Sequence, residues 1–537
     1  MIFAKGQFFK HFSSKFKDIS IYYHIEQRFG GVMSFEKNSF KVVKKKRLQK
    51  SEFNVECNIP VDGEINKIFS VCHTAMVENL EVLSGAVNFN GNIDFCILYE
   101  ATNGEILTNN YSCPFSSKIE DEKIAVGDKV QVDVEVVDFS VDNATNSNIK
   151  INCLLMQKGV IISCYDIETI DTNDEDICSK KEEIYLSTFI GEASEVFTAT
   201  SEVSIKEPVR KVVLCDALVS VKNVECGNNF VSVTGEVIGR LLYLTENDRY
   251  ETSYINENFK EEVELEGVTR NSVAEAFVNI KRNQMKCEVL EQERGVVVKL
   301  DIPVCLKVCA FEERACSVIK DIYSCKEDIE ISTESFDTTK ELSQDFFETK
   351  IDGTLNLDEN HPRVDKLLFV AGTNLTISNS YIQNGELYVE GVAKANVVYL
   401  NDEENSLHSV TMEVPFVVSD KTSVACENPE ISISAVLYDV DVIVKKGRDL
   451  YFDGKLKIHA RYDCEEICAV ITSANLTGDT IERDCSIELI YAKSGMEAWD
   501  IAKQFKVREE VLMLQNPEVA FPLTEDTNVI VYYQKTN

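Results

Sequence analysis

The chain has 537 residues, and at roughly 150 residues per domain this length predicts three to four domains. Its formal net charge is -35, and so acidic a surface repels phosphate groups, which excludes nucleic acid as an expected partner. No stretch reaches the ~18 uninterrupted apolar residues of a membrane span, so the sequence predicts no integral membrane segment.

The first 49 residues form a basic segment in an otherwise acidic chain. Residues 44–47 read Lys-Lys-Lys-Arg, which favours a solvated basic arm, with a docking patch for membrane or a partner as the alternative. Residues 30–32, Gly-Gly-Val, directly precede Met33, and two glycine codons can spell a purine-rich bacterial ribosome-binding site. We therefore hypothesise that residues 1–32 are leader sequence and that Met33 is the true start, with Met1 as the alternative.

Eighteen cysteines are spread along the chain, many of them inside apolar runs that alternate like strands. Buried cysteine behaves as a small apolar residue, so we expect core thiols in a cytosolic protein. Two pairs, Cys305 with Cys309 and Cys464 with Cys468, have three residues between them, a spacing that is only a weak zinc signal. The sequence therefore predicts no metal site.

One pattern occurs three times. Each copy begins with an apolar strand, places a glycine 26 or 27 residues later, then a tyrosine eight residues on and a phenylalanine 16 or 17 residues after that. The three sets are Gly91, Tyr99 and Phe115; Gly235, Tyr243 and Phe259; and Gly391, Tyr399 and Phe416. Glycine inside a strand is typical of a bulge or a close backbone approach. We expect each tyrosine in the core, with its hydroxyl reaching the surface.

Alternation of apolar and polar residues in each copy predicts about seven short antiparallel strands, which is typical of a β-sandwich. The predicted fold class is mainly β, with three tandem β-sandwich-like repeat domains followed by a small α+β domain in the order βααβ. The predicted boundaries are 1–49 for the basic N-terminal segment, 50–167 for the first repeat, 168–187 for an acidic linker, 188–324 for the second repeat, 325–342 for another acidic linker, 343–482 for the third repeat and 485–537 for the last domain. Both linkers are interpreted as exposed connectors, and 325–350 is compatible with a short helix.

The C-terminal stretch changes its period from strand to helix and back. Alternation at Ile487, Leu489 and Tyr491 predicts a strand. Apolar residues spaced by three and four around Trp499 predict a helix of about two turns. A second short helix is expected to end before Pro517, and a closing strand follows.

This stretch resembles a LysM domain, through Tyr491, Gly495, the Trp-Asp-Ile-Ala segment at 499–502, and Leu-Gln-Asn-Pro at 514–517. The resemblance implies a shallow groove for N-acetylglucosamine-containing glycans between two loops. The first loop departs from the family pattern at Met496 and Glu497, and the second carries Glu525 and Asp526, so a protein-facing surface is favoured. The candidate binding residues are Met496, Glu497, Trp499, Val519 and Phe521. We expect Phe521→Ala to weaken partner binding without unfolding the domain, and substitution of Trp499 to act mostly through folding.

The upstream repeats, with a strand, a glycine and then a tyrosine before charged residues, look like the SPOCS domains of spore-forming bacteria. Three such repeats ahead of one LysM domain resemble the arrangement of clostridial spore coat morphogenetic proteins. The resemblance implies that the LysM surface binds the ATPase of the coat's basement layer, a stage IV sporulation protein A-type ATPase, and that other coat proteins are partners. It also implies a location in the mother-cell cytoplasm, at the outer surface of the forespore and its coat.

No catalytic constellation is visible, because none of the six histidines lies in an HExxH pattern and no GxSxG, GxxxxGK[ST] or GxGxxG motif occurs. We therefore expect no enzymatic activity, no catalytic residue and no cofactor. The favoured hypothesis is a non-enzymatic spore coat morphogenetic adaptor that helps to localise coat around the forespore. The alternative is a peptidoglycan- or cortex-binding protein whose repeats act as a spacer.

Overall fold

The computed structural model describes residues 35–61, 63–145, 148–292, 295–401, 406–422, 424, 426, 428–481 and 486–533. The hypotheses on the leader and on Met33 concern residues outside these ranges. Within them the predicted fold class is confirmed, since three repeats of antiparallel sheets precede a small unit in the order βααβ.

Each repeat contains two antiparallel sheets. The strands of the first repeat are β1 (Glu36–Arg47), β2 (Ser51–Pro60), β3 (Ile65–Leu83), β4 (Ala86–Ala101), β5 (Ile106–Glu120), β6 (Lys129–Thr145) and β7 (Asn148–Asp171). Those of the second are β8 (Ile177–Ile205), β9 (Val209–Cys226), β10 (Phe230–Thr245), β11 (Tyr250–Glu264), β12 (Val273–Ile280), β13 (Lys286–Gln292) and β14 (Gly295–Ser324). Those of the third are β15 (Glu327–Asn356), β16 (Lys366–Gln383), β17 (Glu386–Asn401), β18 (Ser406–Lys421), β19 (Glu430–Lys445) and β20 (Asp449–Thr480). The C-terminal unit comprises β21 (Ile487–Ala492), α1 (Ala498–Gln504), α2 (Glu509–Gln515) and β22 (Thr527–Tyr532).

The same topology recurs in all three repeats. One sheet is a three-stranded meander, with the orders β3-β4-β5, β9-β10-β11 and β16-β17-β18. In the other sheet the last strand of the repeat pairs with the first, so β7 pairs with β1 and β2, β14 with β8, and β20 with β15. Alternate apolar residues of both sheets form one buried core per repeat, which makes each repeat a β-sandwich.

The repeated glycine lies directly opposite the repeated phenylalanine on the neighbouring strand. Gly91 pairs with Phe115, and the other two copies repeat this register. A Cβ atom at Gly91 would lie 2.0 Å from the carbonyl oxygen of Met76 and 2.8 Å from Cζ of Phe115. The strand on the other side is bulged here, since the register shifts between Val77 and Asn79. The phenylalanine ring therefore covers a backbone site that has room only for glycine.

The repeated tyrosines lie in the sandwich cores. Tyr99, Tyr243 and Tyr399 are all buried. The hydroxyl of Tyr399 donates a hydrogen bond of 3.1 Å to the carbonyl oxygen of Pro362, so the polar end of this ring is satisfied by backbone.

Replacing Gly91 by alanine is expected to destabilise the first repeat by about 1–3 kcal/mol, because the added Cβ forces the bulged strand and the Phe115 ring apart. The matched control is Asn90→Ala, at the exposed neighbouring position of β4. Urea unfolding followed by far-UV circular dichroism measures both variants. Equal midpoints for the two variants would contradict the close approach.

The paired first and last strands form three two-stranded ribbons that pack on one another. The ribbons are residues 36–47 with 160–171, 177–191 with 310–324, and 327–341 with 464–480. Two buried clusters contain residues of all three ribbons, namely Val42, Ile167, Leu186, Cys316, Val318 and Val470, and Ile170, Ile177, Ile319, Ile322, Ile471 and Ala474. The ribbons therefore share a core of their own.

These ribbons correct the interpretation of the two acidic stretches. The sequence predicts exposed connectors at residues 168–187 and 325–342, but most of both stretches is ribbon strand. The short helix that the sequence allows within 325–350 does not form, because β15 occupies that stretch as strand. Its acidic residues alternate with apolar ones such as Ile329, which packs against a ribbon core while Asp328 and Glu330 stay exposed. Pairing with β20 and burial of that apolar phase outweigh local helix propensity.

A further shared core forms where the meanders of the three repeats meet. Its buried members are Phe69, Cys96, Leu98 and Ile106 of the first repeat, Val213, Leu214 and Leu242 of the second, and Phe369, Ala371 and Val398 of the third. Arg240 of the second repeat also donates hydrogen bonds of 3.0 Å to the carbonyl oxygens of Val370 and Ala371. The repeats therefore pack around common interiors and are not independent domains on linkers.

The basic run at residues 44–47 is not a solvated arm, because it belongs to β1 and its central charge is buried. Lys45 has 5% of its surface exposed, and its Nζ atom lies 2.8 Å from a carboxylate oxygen of Glu275 and of Asp463. These partners belong to the second and third repeats, so one ammonium group joins all three. Burial opposes the charged form, but the two carboxylates outweigh it and raise the pKa of Lys45.

Not all cysteines are core thiols, which corrects the sequence expectation. Cys57 of β2 and Cys113 of β5 form a disulfide that joins the two sheets of the first sandwich. Cys426 and Cys464 form a second disulfide in the third repeat. Cys96, Cys153 and Cys309 are buried thiols, as expected. Sequence spacing did not reveal the bonded pairs, because their partners are 56 and 38 residues apart.

Candidate interaction surface

The C-terminal unit folds around short-range contacts that its sequence dictates. At the start of α1, the backbone N–H of Glu497 donates a hydrogen bond of 3.1 Å to the carboxylate of Asp500, which satisfies a backbone donor that the helix leaves unpaired. At the end of α2, the Asn516 side chain donates to the carbonyl oxygens of Leu512 and Ile530 and accepts from the N–H of Ile530. One asparagine thus fastens α2 to β22, and Pro517 prevents the helix from continuing.

The unit docks on the end of the second repeat's ribbon through Trp499. The indole Nε1–H donates a hydrogen bond of 2.9 Å to Asp321, and the indole ring meets Tyr323 edge-to-face with centroids 4.9 Å apart. The hydroxyl of Tyr323 donates a hydrogen bond of 2.7 Å to the carbonyl oxygen of Val507. Tyr323 therefore belongs to the core of a unit that begins more than 160 residues later in the chain.

Charged contacts surround this aromatic centre. The Nζ atom of Lys503 lies 2.5 Å from a carboxylate oxygen of Asp321, and that of Lys506 lies 3.1 Å from a carboxylate oxygen of Asp328. Glu497 pairs with Lys180 of β8. The docked face of the unit is consequently α1, the turn after it and the end of the first loop.

Asp321 makes this docking depend on pH. Burial alone would raise the pKa of Asp321, but hydrogen bonds from Lys503 and Trp499 and the Lys503 charge outweigh it and lower the pKa below its ordinary value of 3.8. A carboxyl with a lowered pKa contributes its full stabilisation above 3.8 and loses it as the pH falls through the lowered value.

We expect the C-terminal unit to detach from the ribbon as the pH falls below about 3.8. Trp499 is the only tryptophan, so its fluorescence reports the docked state directly, and detachment shifts the emission to the red. In the Asp321→Asn control this acid transition is expected to disappear. An unchanged transition in that variant would show that other carboxyls cause it.

The predicted binding residues lie in different environments. Trp499 is 6% exposed, because it is buried between the rest of the C-terminal unit and Tyr323 of the ribbon. Met496, Val519 and Phe521 are half-buried and pack against the same core. Glu497 is exposed and paired with the ribbon, as described above. Replacing Phe521 by alanine should accordingly weaken the packing of the unit's core as well as any contact of this side chain with a binding partner.

The two loops where the family resemblance locates a glycan groove are held against each other. The N–H of Gly495 donates a hydrogen bond of 2.7 Å to the carbonyl oxygen of Leu523. The N–H of Leu523 in turn donates a hydrogen bond to the carbonyl oxygen of Met496. Asp526 accepts a hydrogen bond of 2.9 Å from the N–H of Ser494. A groove at this place is thus bordered by a carboxylate and by backbone groups that already have partners.

The outer face of the β21–β22 sheet is the surface that sequence reasoning missed. Ile487, Leu489 and Tyr491 are 58%, 68% and 63% exposed, and Tyr532 lies opposite Ile487 on the same face. We call these four residues the open face. The opposite face, with Ile490, packs inward on the core. Alternation correctly located the strand, but β21 has apolar residues in both phases, and the phase used to predict it points outward.

The part of the chain that the structure describes contains neither a metal-type cluster nor a membrane-spanning helix. No three histidine, cysteine or acidic side chains among these residues come together as a metal site would require. None of their helices has the length and apolar character needed to cross a lipid bilayer.

Fold and surface together define a protein of tandem β-sandwich repeats that carries a small helical unit with an apolar sheet face. Residues 64–143 and 208–290 match the family model described as SipL, SPOCS domain. The first segment covers β3 to β5 and most of β6, and the second covers β9 to β12 and most of β13. Both matches support a SipL-like protein related to sporulation. Searches of curated proteins and of solved structures returned no match.

The third repeat lies outside the matched segments but has the same internal register. Gly391 pairs with Phe416, and a Cβ atom at Gly391 would lie 2.7 Å from Cζ of that ring. A bulge again lies opposite the glycine, between Ile377 and Asn379. The third repeat is therefore structurally equivalent to the two that match.

Proposed function

We propose that the protein is a non-enzymatic spore coat morphogenetic adaptor whose C-terminal unit binds a protein partner through the open face. The partner is a stage IV sporulation protein A-type ATPase of the coat's basement layer, and the repeats present further surfaces to other coat proteins around the forespore in the mother cell. The observation that carries this proposal is the exposure of Ile487, Leu489 and Tyr491 on one sheet face. Contiguous exposed apolar side chains are typical of protein interaction sites.

The docked geometry supports this assignment. Trp499 and Lys503 contact the ribbon of the second repeat, and Lys506 contacts Asp328 of β15 in the third, all from the helical side of the unit. The open face lies on the opposite side of the small sheet, so docking leaves it uncovered among the described residues. The three-repeat body thereby holds the unit in place with its apolar face available to a partner.

The chemistry of the open face favours protein over glycan. Ile487 and Leu489 offer no hydrogen-bonding side-chain groups, whereas sugar rings carry many hydroxyls that need polar partners when they are desolvated. Apolar side chains beside a tyrosine instead match the composition of protein-binding hot spots.

The test uses the full chain, because Tyr323 belongs to the core of the C-terminal unit. The immobilised protein is offered either the purified ATPase or purified peptidoglycan. Retention of the ATPase without retention of peptidoglycan is the expected result. Retention of peptidoglycan alone would overturn the proposal and favour the cell-wall-binding alternative, with the repeats as a spacer.

A further inference from the structure

A pair of cysteines lies at the end of the ribbon that carries the C-terminal unit. Cys178 is near the start of β8, and Cys325 directly follows β14. Their Sγ atoms lie 3.8 Å apart. Cys178 is opposite Tyr323 in the strand register, and Cys325 is two residues beyond that tyrosine, so the three side chains share one face of the ribbon.

From this geometry we propose that Cys178 and Cys325 form a redox-active dithiol whose oxidation to a disulfide closes the second repeat beneath the C-terminal unit. The two residues mark the beginning and the end of that repeat, 147 residues apart. Both pack against the core of the docked unit. The equivalent ribbon ends of the other repeats pair Glu36 with Asp171 and Glu327 with Thr480, so neither has a cysteine pair there.

The local chemistry suits thiol–disulfide exchange. A hydrogen bond from the neighbouring Cys325 thiol stabilises the thiolate, outweighs the effect of burial and lowers the pKa of Cys178 to about 7. Cys178 is half-buried, so a small reagent has access to it. A thiolate fraction of this size at neutral pH makes Cys178 the attacking sulfur.

The oxidant is a low-molecular-weight disulfide, for example glutathione disulfide. The Cys178 thiolate attacks one sulfur of this reagent, forms a mixed disulfide and releases one glutathione thiolate. Cys325 then loses its proton to water, and its sulfur attacks the sulfur of Cys178 and expels the second glutathione. Two protein thiols are thereby oxidised to one disulfide, and one glutathione disulfide is reduced to two glutathione molecules.

The test treats the folded full chain with glutathione disulfide at pH 7.5, followed by alkylation and mass spectrometry of a non-reduced digest. We expect a peptide cross-linked between Cys178 and Cys325, formed roughly threefold faster than any adduct at the exposed Cys164, whose pKa is raised. The cross-link constrains a long loop in the unfolded chain, so the thermal midpoint should rise by several degrees.

Two variants make the result decisive. In Cys325→Ser the exchange should stop at a stable glutathione adduct on Cys178, because the second attack has no sulfur. In Cys178→Ser both the cross-link and the rise in thermal midpoint should disappear. A persistent glutathione adduct on Cys178 in the unaltered chain, or modification of Cys164 while the pair stays reduced, would overturn the proposal.

Discussion

Replacing Lys45 by alanine is expected to lower the free energy of unfolding by about 3–5 kcal/mol, because it leaves two buried carboxylates without their cation. Glu275 and Asp463 both depend on this ammonium group, with Nζ–O distances of 2.8 Å. Since they belong to different repeats, the loss should loosen the junction of the whole body. Equilibrium urea unfolding, followed by far-UV circular dichroism, measures the change.

Two comparison variants separate the ion pairs from the loss of a lysine as such. Lys41→Ala, at an exposed position of the same strand, is expected to leave the midpoint almost unchanged. In the triple variant Lys45→Met, Glu275→Gln, Asp463→Asn, most of the lost stability should return, because the ammonium group and its two carboxylates are removed together. A Lys45→Ala midpoint equal to that of Lys41→Ala would contradict the role of Lys45 as the junction of the three repeats.

Replacing Tyr323 by alanine is expected to release the C-terminal unit from the ribbon. The ring is almost completely buried, and its loss removes the edge-to-face contact with Trp499 and the hydrogen bond to Val507. A cavity of this size costs about 3–5 kcal/mol, more than the surrounding surface ion pairs supply. Trp499 fluorescence should shift to the red at neutral pH, and limited proteolysis should separate the unit from the body.

The matched control is Tyr185→Ala, since Tyr185 is an exposed tyrosine of the same β8 strand. This variant should keep the emission and the protease resistance of the unaltered protein. If Tyr323→Ala also kept both, the docking of Trp499 on the ribbon would not hold the unit in place.

The two effects act at different levels of one arrangement. Lys45 joins the first ribbon to strands β12 and β20 of the second and third repeats, and Tyr323 fixes the C-terminal unit to the end of one ribbon. Because both rely on buried contacts between distant parts of the chain, the unit has a defined position on the body. The open face is thus presented in a fixed orientation instead of on a flexible tether.

Local patterns predicted the elements of this fold well. The spacing of Gly235, Tyr243 and Phe259 repeats in all three copies because a glycine under a phenylalanine ring is a local requirement of paired strands. Apolar residues at helical spacing around Trp499 likewise predicted α1. Both patterns involve residues close in sequence, whose geometry the backbone period dictates.

Contacts between distant residues were not predictable in the same way. Lys45 reads as part of a solvated basic run, and only its position 230 residues from Glu275 and 418 from Asp463 in sequence makes it the centre of a buried network. Trp499 lies in the core of its own unit, but Asp321 and Tyr323 of the ribbon complete its surroundings. The outward phase of β21 was equally hidden, because periodicity places a strand without stating which face is covered.

The most direct measurement is the affinity of the full chain for the stage IV sporulation protein A-type ATPase after Leu489→Asp. The account predicts roughly 30- to 100-fold weaker binding, because a carboxylate replaces an apolar anchor at the centre of the open face, with Trp499 fluorescence unchanged. Val417→Asp, at a similarly exposed apolar site of the third repeat, should bind like the unaltered protein. Unchanged affinity in a folded Leu489→Asp variant would contradict the assignment of the open face as the partner-binding surface.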